Sequence, residues 1–112
     1  MIEAKTHIPT PAFQFAASTA QSWFLDVEAQ DDTCVIHIGP ADLQSQETRE
    51  RLCSICGNTP GLADALVTSL DENQPVESDD YEIRLVIQRS DDAEIPHNHP
   101  GENAERVRRA LP

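Results

Sequence analysis

The sequence predicts an α+β domain, a single antiparallel sheet of about four strands with helices packed on one face. Three observations lead there. Residues 23–38 read as a β-hairpin, residues 47–70 change to apolar spacings of three and four, and residues 81–88 return to alternation. Strand-like and helix-like stretches are grouped rather than interleaved, which separates this class from α/β folds. At 112 residues the chain is long enough for one modest core and too short for two.

Residues 1–11 carry Pro9 and Pro11 with little periodicity, and they are expected to form an extended or loosely held N-terminal segment ahead of a domain over 12–112. Phe13, Phe15 and Ala17 alternate with Ala12, Gln14 and Ala16, which gives a short first strand. Trp23, Leu25, Val27 and Ala29 alternate with Phe24, Asp26, Glu28 and Gln30, the period of a half-buried strand. Gln30-Asp31-Asp32 supplies a polar turn. Cys34 to Ile38 forms the returning strand, stopped by Gly39-Pro40. On this strand His37 points away from Ile36 and Ile38 and reads as a surface or edge histidine.

The next stretch is helical. Asp42 can cap a turn beginning near Leu43. Over residues 47–56, Thr48, Leu52, Ile55 and Cys56 share one stripe. Gly57-Asn58 is expected to end that helix, since glycine enters a left-handed cap without steric cost. Thr59 and Pro60 then suit the N-cap and first position of another helix. Leu62, Ala63, Leu66, Val67 and Leu70 form its apolar face, and it should finish before Asn73. Tyr81, Ile83, Leu85 and Ile87 alternate with Glu82, Arg84, Val86 and Gln88, the clearest strand of the chain. A final short helix over 102–111 buries Ala104, Val107 and Leu111, with acids at its start and arginines at its end, as the helix dipole favours. The expected order is β-β-β-α-α-β-α.

Charge narrows the functions. The chain holds 20 Asp and Glu against 8 Lys and Arg, a net charge of -12. Such a field repels phosphate backbones and anionic lipid, so direct binding to nucleic acid or membrane is disfavoured and a basic protein surface is the expected partner. Homo-oligomer formation is left open. Ten acids fall between residues 64 and 94 against Arg84 and Arg89 alone, which places two thirds of the net charge there. If the loops flanking the 81–88 strand converge at the sheet ends, Asp71, Glu72, Glu77, Asp79, Asp80, Asp91, Asp92 and Glu94 form an acidic rim suited to fast, salt-sensitive association. No apolar run reaches the length of a membrane span, and the opening lacks the basic-then-apolar order of an export signal. With three cysteines, an odd number, the expected setting is the cytoplasm with free thiols.

Cys53 and Cys56 form the only short motif with chemistry of its own. A Cys-x-x-Cys pair exchanges disulfides or holds zinc. Its place late in a predicted helix sets the dipole against a thiolate, so the redox reading is weak. Zinc needs two further ligands, and His97 and His99 are the available pair, although a one-residue gap departs from the usual finger spacing. The plainer reading makes Cys56 part of the core beside Leu52 and Ile55. No phosphate-binding loop, nucleophile elbow or EF-hand spacing occurs. No catalytic constellation stands out. The expectation is therefore a small acidic non-enzymatic protein-binding module without a cofactor, such as an inhibitor, an immunity or anti-defence protein, or a chaperone-like protein. The alternative is a zinc-binding protein or small metalloenzyme using Cys53, Cys56, His97 and His99.

Overall fold

The first strand, β1 (Ile2–Ile8), comes before the expected hairpin. In this computed structural model, residues 2–72, 82–90 and 100–111 are described, with the backbone alone at 100–103. Ile2, Ala4, Thr6 and Ile8 are buried while Glu3, Lys5 and His7 are exposed, so the opening segment is extended and belongs to the sheet. Residues 12–17, expected as a strand, lie instead in α1 (Thr10–Trp23). Phe13, Ala16 and Ala20 are its buried residues, at spacings of three and four, and Phe15 is left outside. Pro11 sits in the first turn, where its missing N–H is harmless. The alanines at 12, 16, 17 and 20 favour helix over strand.

The predicted hairpin is present but shorter. It consists of β2 (Val27–Ala29) and β3 (Thr33–Ile38), closed by a hydrogen bond from the Gln30 amide to the Thr33 carbonyl at 2.7 Å. Trp23 ends α1, and Leu25 is fully exposed in the connection. A short helix α2 (Pro40–Leu43) follows, with Asp42 inside it rather than ahead of it; the Asp42 carboxylate accepts from the Gly39 amide at 3.0 Å. Then comes α3 (Gln46–Asn58), capped by the Ser45 hydroxyl. Gly57 is buried within α3, and the left-handed residue is Gly61, with φ +80°. The turn therefore falls at Thr59-Pro60-Gly61, and α4 (Leu62–Glu72) starts two residues later than the Pro60 signal implied. The chain closes with β4 (Ile83–Arg89) and α5 (Pro100–Ala110).

The fold is α+β, with the element order β-α-β-β-α-α-α-β-α and one four-stranded sheet in the order β1-β4-β3-β2. β3 pairs antiparallel with both β2 and β4, while β1 joins β4 in parallel. The clearest strand in the sequence is thus an interior strand, as its buried residues Ile83, Leu85, Val86 and Ile87 require.

The helices cover one face. Ala4, Ile36 and Leu85 stand in register on that face and join a single core with Phe13, Leu52, Leu66 and Val107. On the other face Val35 and Val86 oppose one another, nearly buried yet outside that core, flanked in register by Glu28 and Lys5. Truncating Leu85, which has no exposed surface, to alanine removes about 2–5 kcal/mol. No helix among the described residues is long and apolar enough to cross a membrane.

Candidate functional site

Cys53 and Cys56 occupy successive turns of α3, and both are buried. Burial pushes both thiols up; at Cys53 the Arg108 guanidinium opposes this without overcoming it, and at Cys56 the neighbouring Cys53 adds to it. Burial alone raises Cys34 of β3. Neutral, enclosed thiols are core material first, which is how Cys56 sits beside Leu52 and Ile55. His97 and His99 lie outside the described residues. Among those described, no three His, Cys, Asp or Glu side chains are grouped to hold a metal ion.

Of the eight acids expected to form a rim, Asp71 and Glu72 are exposed in the last turn of α4, and Glu77, Asp79, Asp80, Asp91, Asp92 and Glu94 lie outside the described residues. Near Asp71 and Glu72 the Ser69 hydroxyl lies 2.7 Å from the Glu3 carbonyl and 2.8 Å from the Ala65 carbonyl of its own helix, and its one proton is shared between them. The end of α4 thus lies beside the start of β1. The start of β4 is alongside, because the Ile2 amide donates to the Glu82 carbonyl at 2.7 Å. β2 also begins at this end, and β3 stops there. The topology therefore gathers Glu3, Asp26, Glu28, Asp71, Glu72 and Glu82 along one end of the sheet. Among the described residues, Arg84, paired with Glu3, and the His37 imidazole are set among them.

His37 lies between two of these acids. Its Nε2 is 3.2 Å from a Glu28 oxygen and its Nδ1 is 3.3 Å from a Glu82 oxygen. Both contacts suit a doubly protonated ring. The hydrogen bond to Glu28 is the main cause holding the imidazole above its ordinary pKa, burial works against it, and Glu82 and Asp26 add to the rise.

The feature that element-by-element reading missed is α1 itself. No Asp, Glu, Lys or Arg occurs from Thr6 through Leu25, in a chain where these residues make up 25% of the total. Pro11, Gln14, Phe15, Ser18, Gln21 and Ser22 are exposed on this helix, so its outer face is uncharged. Phe15 is 68% exposed. Beside it a groove of about 210 Å³ runs between α1 and α3, lined by Phe15, Ala16, Thr19 and Trp23 on one side and by Ser54 and Ile55 on the other. Leu25, at 104% relative exposure, follows Trp23 by two residues and directly precedes Asp26. The uncharged surface thus ends where the acidic end of the sheet begins. The signal was in the sequence as an absence of charge.

No protein-family profile, curated protein or solved structure matches the chain.

Proposed function

We propose that this chain is a small non-enzymatic protein-binding module that docks on a basic partner through the outer face of α1 and the groove between α1 and α3. The observation that carries the reading is Phe15, a large aromatic side chain 68% exposed on a helix without a single charge. Interface centres are depleted in charged residues and anchored by aromatic ones, and a few such anchors supply most of the affinity. An exposed apolar surface is informative where isolated exposed leucines are not.

The acids at the neighbouring end of the sheet indicate the chemistry of the partner. It presents two or three apolar side chains to Phe15, Trp23 and Leu25, with Lys or Arg beyond them facing Asp26, Glu28 and Glu82. The overall charge of -12 accelerates the encounter, and the apolar anchors hold it. Asp79, Asp80, Asp91 and Asp92 strengthen this field in the same reading. Inhibitors, immunity or anti-defence proteins and chaperone-like proteins all act through surfaces of this kind, without a catalytic group.

The test is capture from host lysate followed by measurement with the purified partner. The reading expects a basic protein whose affinity falls at least about tenfold with Phe15→Ser and weakens steeply with salt. Replacing Asp79, Asp80, Asp91 and Asp92 by Asn should slow association without abolishing the complex. A partner bound equally well by the Phe15→Ser chain removes α1 from the interface.

A further inference from the structure

The described sheet ends at β2, and the stretch around that strand faces solvent. From Leu25 through Asp32 every residue except Val27 and the whole of none other is covered: all the rest are exposed, Leu25 fully. The Gln30 amide donates to the Thr33 carbonyl at 2.7 Å, and the Asp26 carbonyl accepts from the His37 amide at 2.9 Å. Alternate residues of an antiparallel ladder face the partner strand, so Asp26, Glu28 and Gln30 turn their main-chain groups to β3. Val27 and Ala29 turn theirs outward. Such an edge is a template for a further strand.

The two sides of that edge differ in chemistry. On the helix-covered side Val27 packs against the core, and Ala29 follows it on the same alternation. Leu25 stands just ahead of the edge with its side chain in solvent. On the opposite face Glu28 reaches His37 yet keeps 67% of its side chain exposed, and Asp26, across from His37, adds a second carboxylate. Asp31 and Asp32 continue the acidity into the hairpin turn, and no Lys or Arg occurs between Lys5 and Arg49. Lysine, a common guard of exposed edges, is thus missing from this strand.

We propose that the outer edge of β2 takes up an extended segment of a basic partner as an added strand, one that alternates Lys or Arg with apolar residues. Main-chain hydrogen bonds to Val27 and Ala29 supply the attachment, and side chains of period two supply the specificity. The basic residues fall on the face of Asp26 and Glu28, and the apolar ones on the side of Val27 and Ala29, beside Leu25. For its occupant the inference rests on the basic partner of the docking reading, whereas its geometry does not involve α1. Two outward-facing residues make a short contact, so the segment alone binds weakly.

The probe is a blocked heptapeptide of alternating valine and lysine, titrated into the full chain at constant ionic strength and neutral pH. Saturating amide shifts are expected, with the Val27 and Ala29 amides newly protected from hydrogen exchange and Glu28, already bonded to β3, little changed. A peptide of the same residues arranged in blocks carries equal charge and should bind at least about fivefold more weakly. Ala29→Pro removes an outward donor while sparing the β3 ladder and the charge, and it should cost at least about fivefold. Unsaturated shifts, equal binding of the two peptides, or saturation without protection at Val27 and Ala29 each overturn the proposal, and none of these needs a variant. Phe15→Ser should leave peptide affinity unchanged; a loss there would place the peptide on α1 and overturn the edge. With the lysate partner, a loss on Ala29→Pro but not on Phe15→Ser keeps the edge and removes α1, and the reverse keeps α1 and removes the edge.

Discussion

Arg51 of α3 donates from Nη1 to the main-chain oxygen of Trp23 at 2.8 Å, latching a charged helix to the last residue of an uncharged one. The acceptor is among the carbonyls that an α-helix leaves unpaired at its C-terminal end, where a cation is favoured. The second Arg51 nitrogen engages Glu47 one turn back. Arg51→Ala should lower stability by about 1 kcal/mol, below the range for buried hydrogen bonds to charged groups because 40% of the side chain is exposed. Urea unfolding checks this, and the Trp23 fluorescence of the folded state should change as that end of the groove loosens.

Gly61 supplies a second, sharper case. With φ at +80°, it is the only residue with positive φ among those described, and a Cβ there would stand 2.9 Å from the Thr6 hydroxyl. That hydroxyl is held in place by donating to the Pro60 carbonyl at 2.8 Å. Gly61→Ala should therefore destabilise the chain by about 1–3 kcal/mol, combining left-handed strain with the crowding. Adding Thr6→Ala should relieve the crowding and leave the strain, so the double variant should be more stable than the sum of the single losses predicts. Chemical denaturation of the four chains completes the cycle.

His37 should make stability pH-dependent. Its folded pKa is raised above the ordinary value of 6.5, first by the Glu28 hydrogen bond and then by Glu82 and Asp26. Arg84, its register partner on β4, stands beside the same cluster, paired with Glu3. A raised histidine stabilises the folded state fully below the unfolded pKa, and that contribution is lost as pH rises through the folded one. Urea midpoints of the native chain and of His37→Gln should therefore differ most in mild acid and converge in mild base. Glu28→Gln should shift the proton titration of His37 downward more than Glu82→Gln does.

The three thiols should differ in reactivity. Cys34 and Cys56 have no exposed surface, whereas Cys53 lies at the cleft between α3 and α5. A thiol reagent should modify Cys53 first and slowly, with Cys34 and Cys56 reacting only on unfolding, because burial keeps all three protonated near neutral pH. Mass mapping of alkylated peptides reads that order. The same preparation tests the zinc alternative: a site using Cys53, Cys56, His97 and His99 requires near-stoichiometric metal that Cys53→Ser removes.

Much of the framework was readable from local pattern. α4 and β4 carry their periodicity without competition, Leu62, Leu66 and Leu70 at helical spacing and Ile83, Leu85 and Ile87 at strand spacing. The first third of the chain was ambiguous. Phe13, Phe15 and Ala17 fit a period of two, while Phe13, Ala16, Ala17 and Ala20 fit a helix, and only burial against α3 and the sheet selects the second. The alternation of Ile2, Ala4, Thr6 and Ile8 was present, but a parallel partner at residues 83–89 is invisible to local pattern. His37 reads as a surface residue until the register of β3 and β4 brings Glu82, distant by 45 positions, to its ring.

The most direct measurement is the affinity of the purified lysate partner for the native chain and for Phe15→Ser at one salt concentration. Phe15 is exposed, so the substitution should leave the unfolding midpoint within about 0.5 kcal/mol of native stability. The docking account predicts a loss of at least about tenfold in affinity, with the salt dependence of association retained. Equal affinity of the two chains would contradict it.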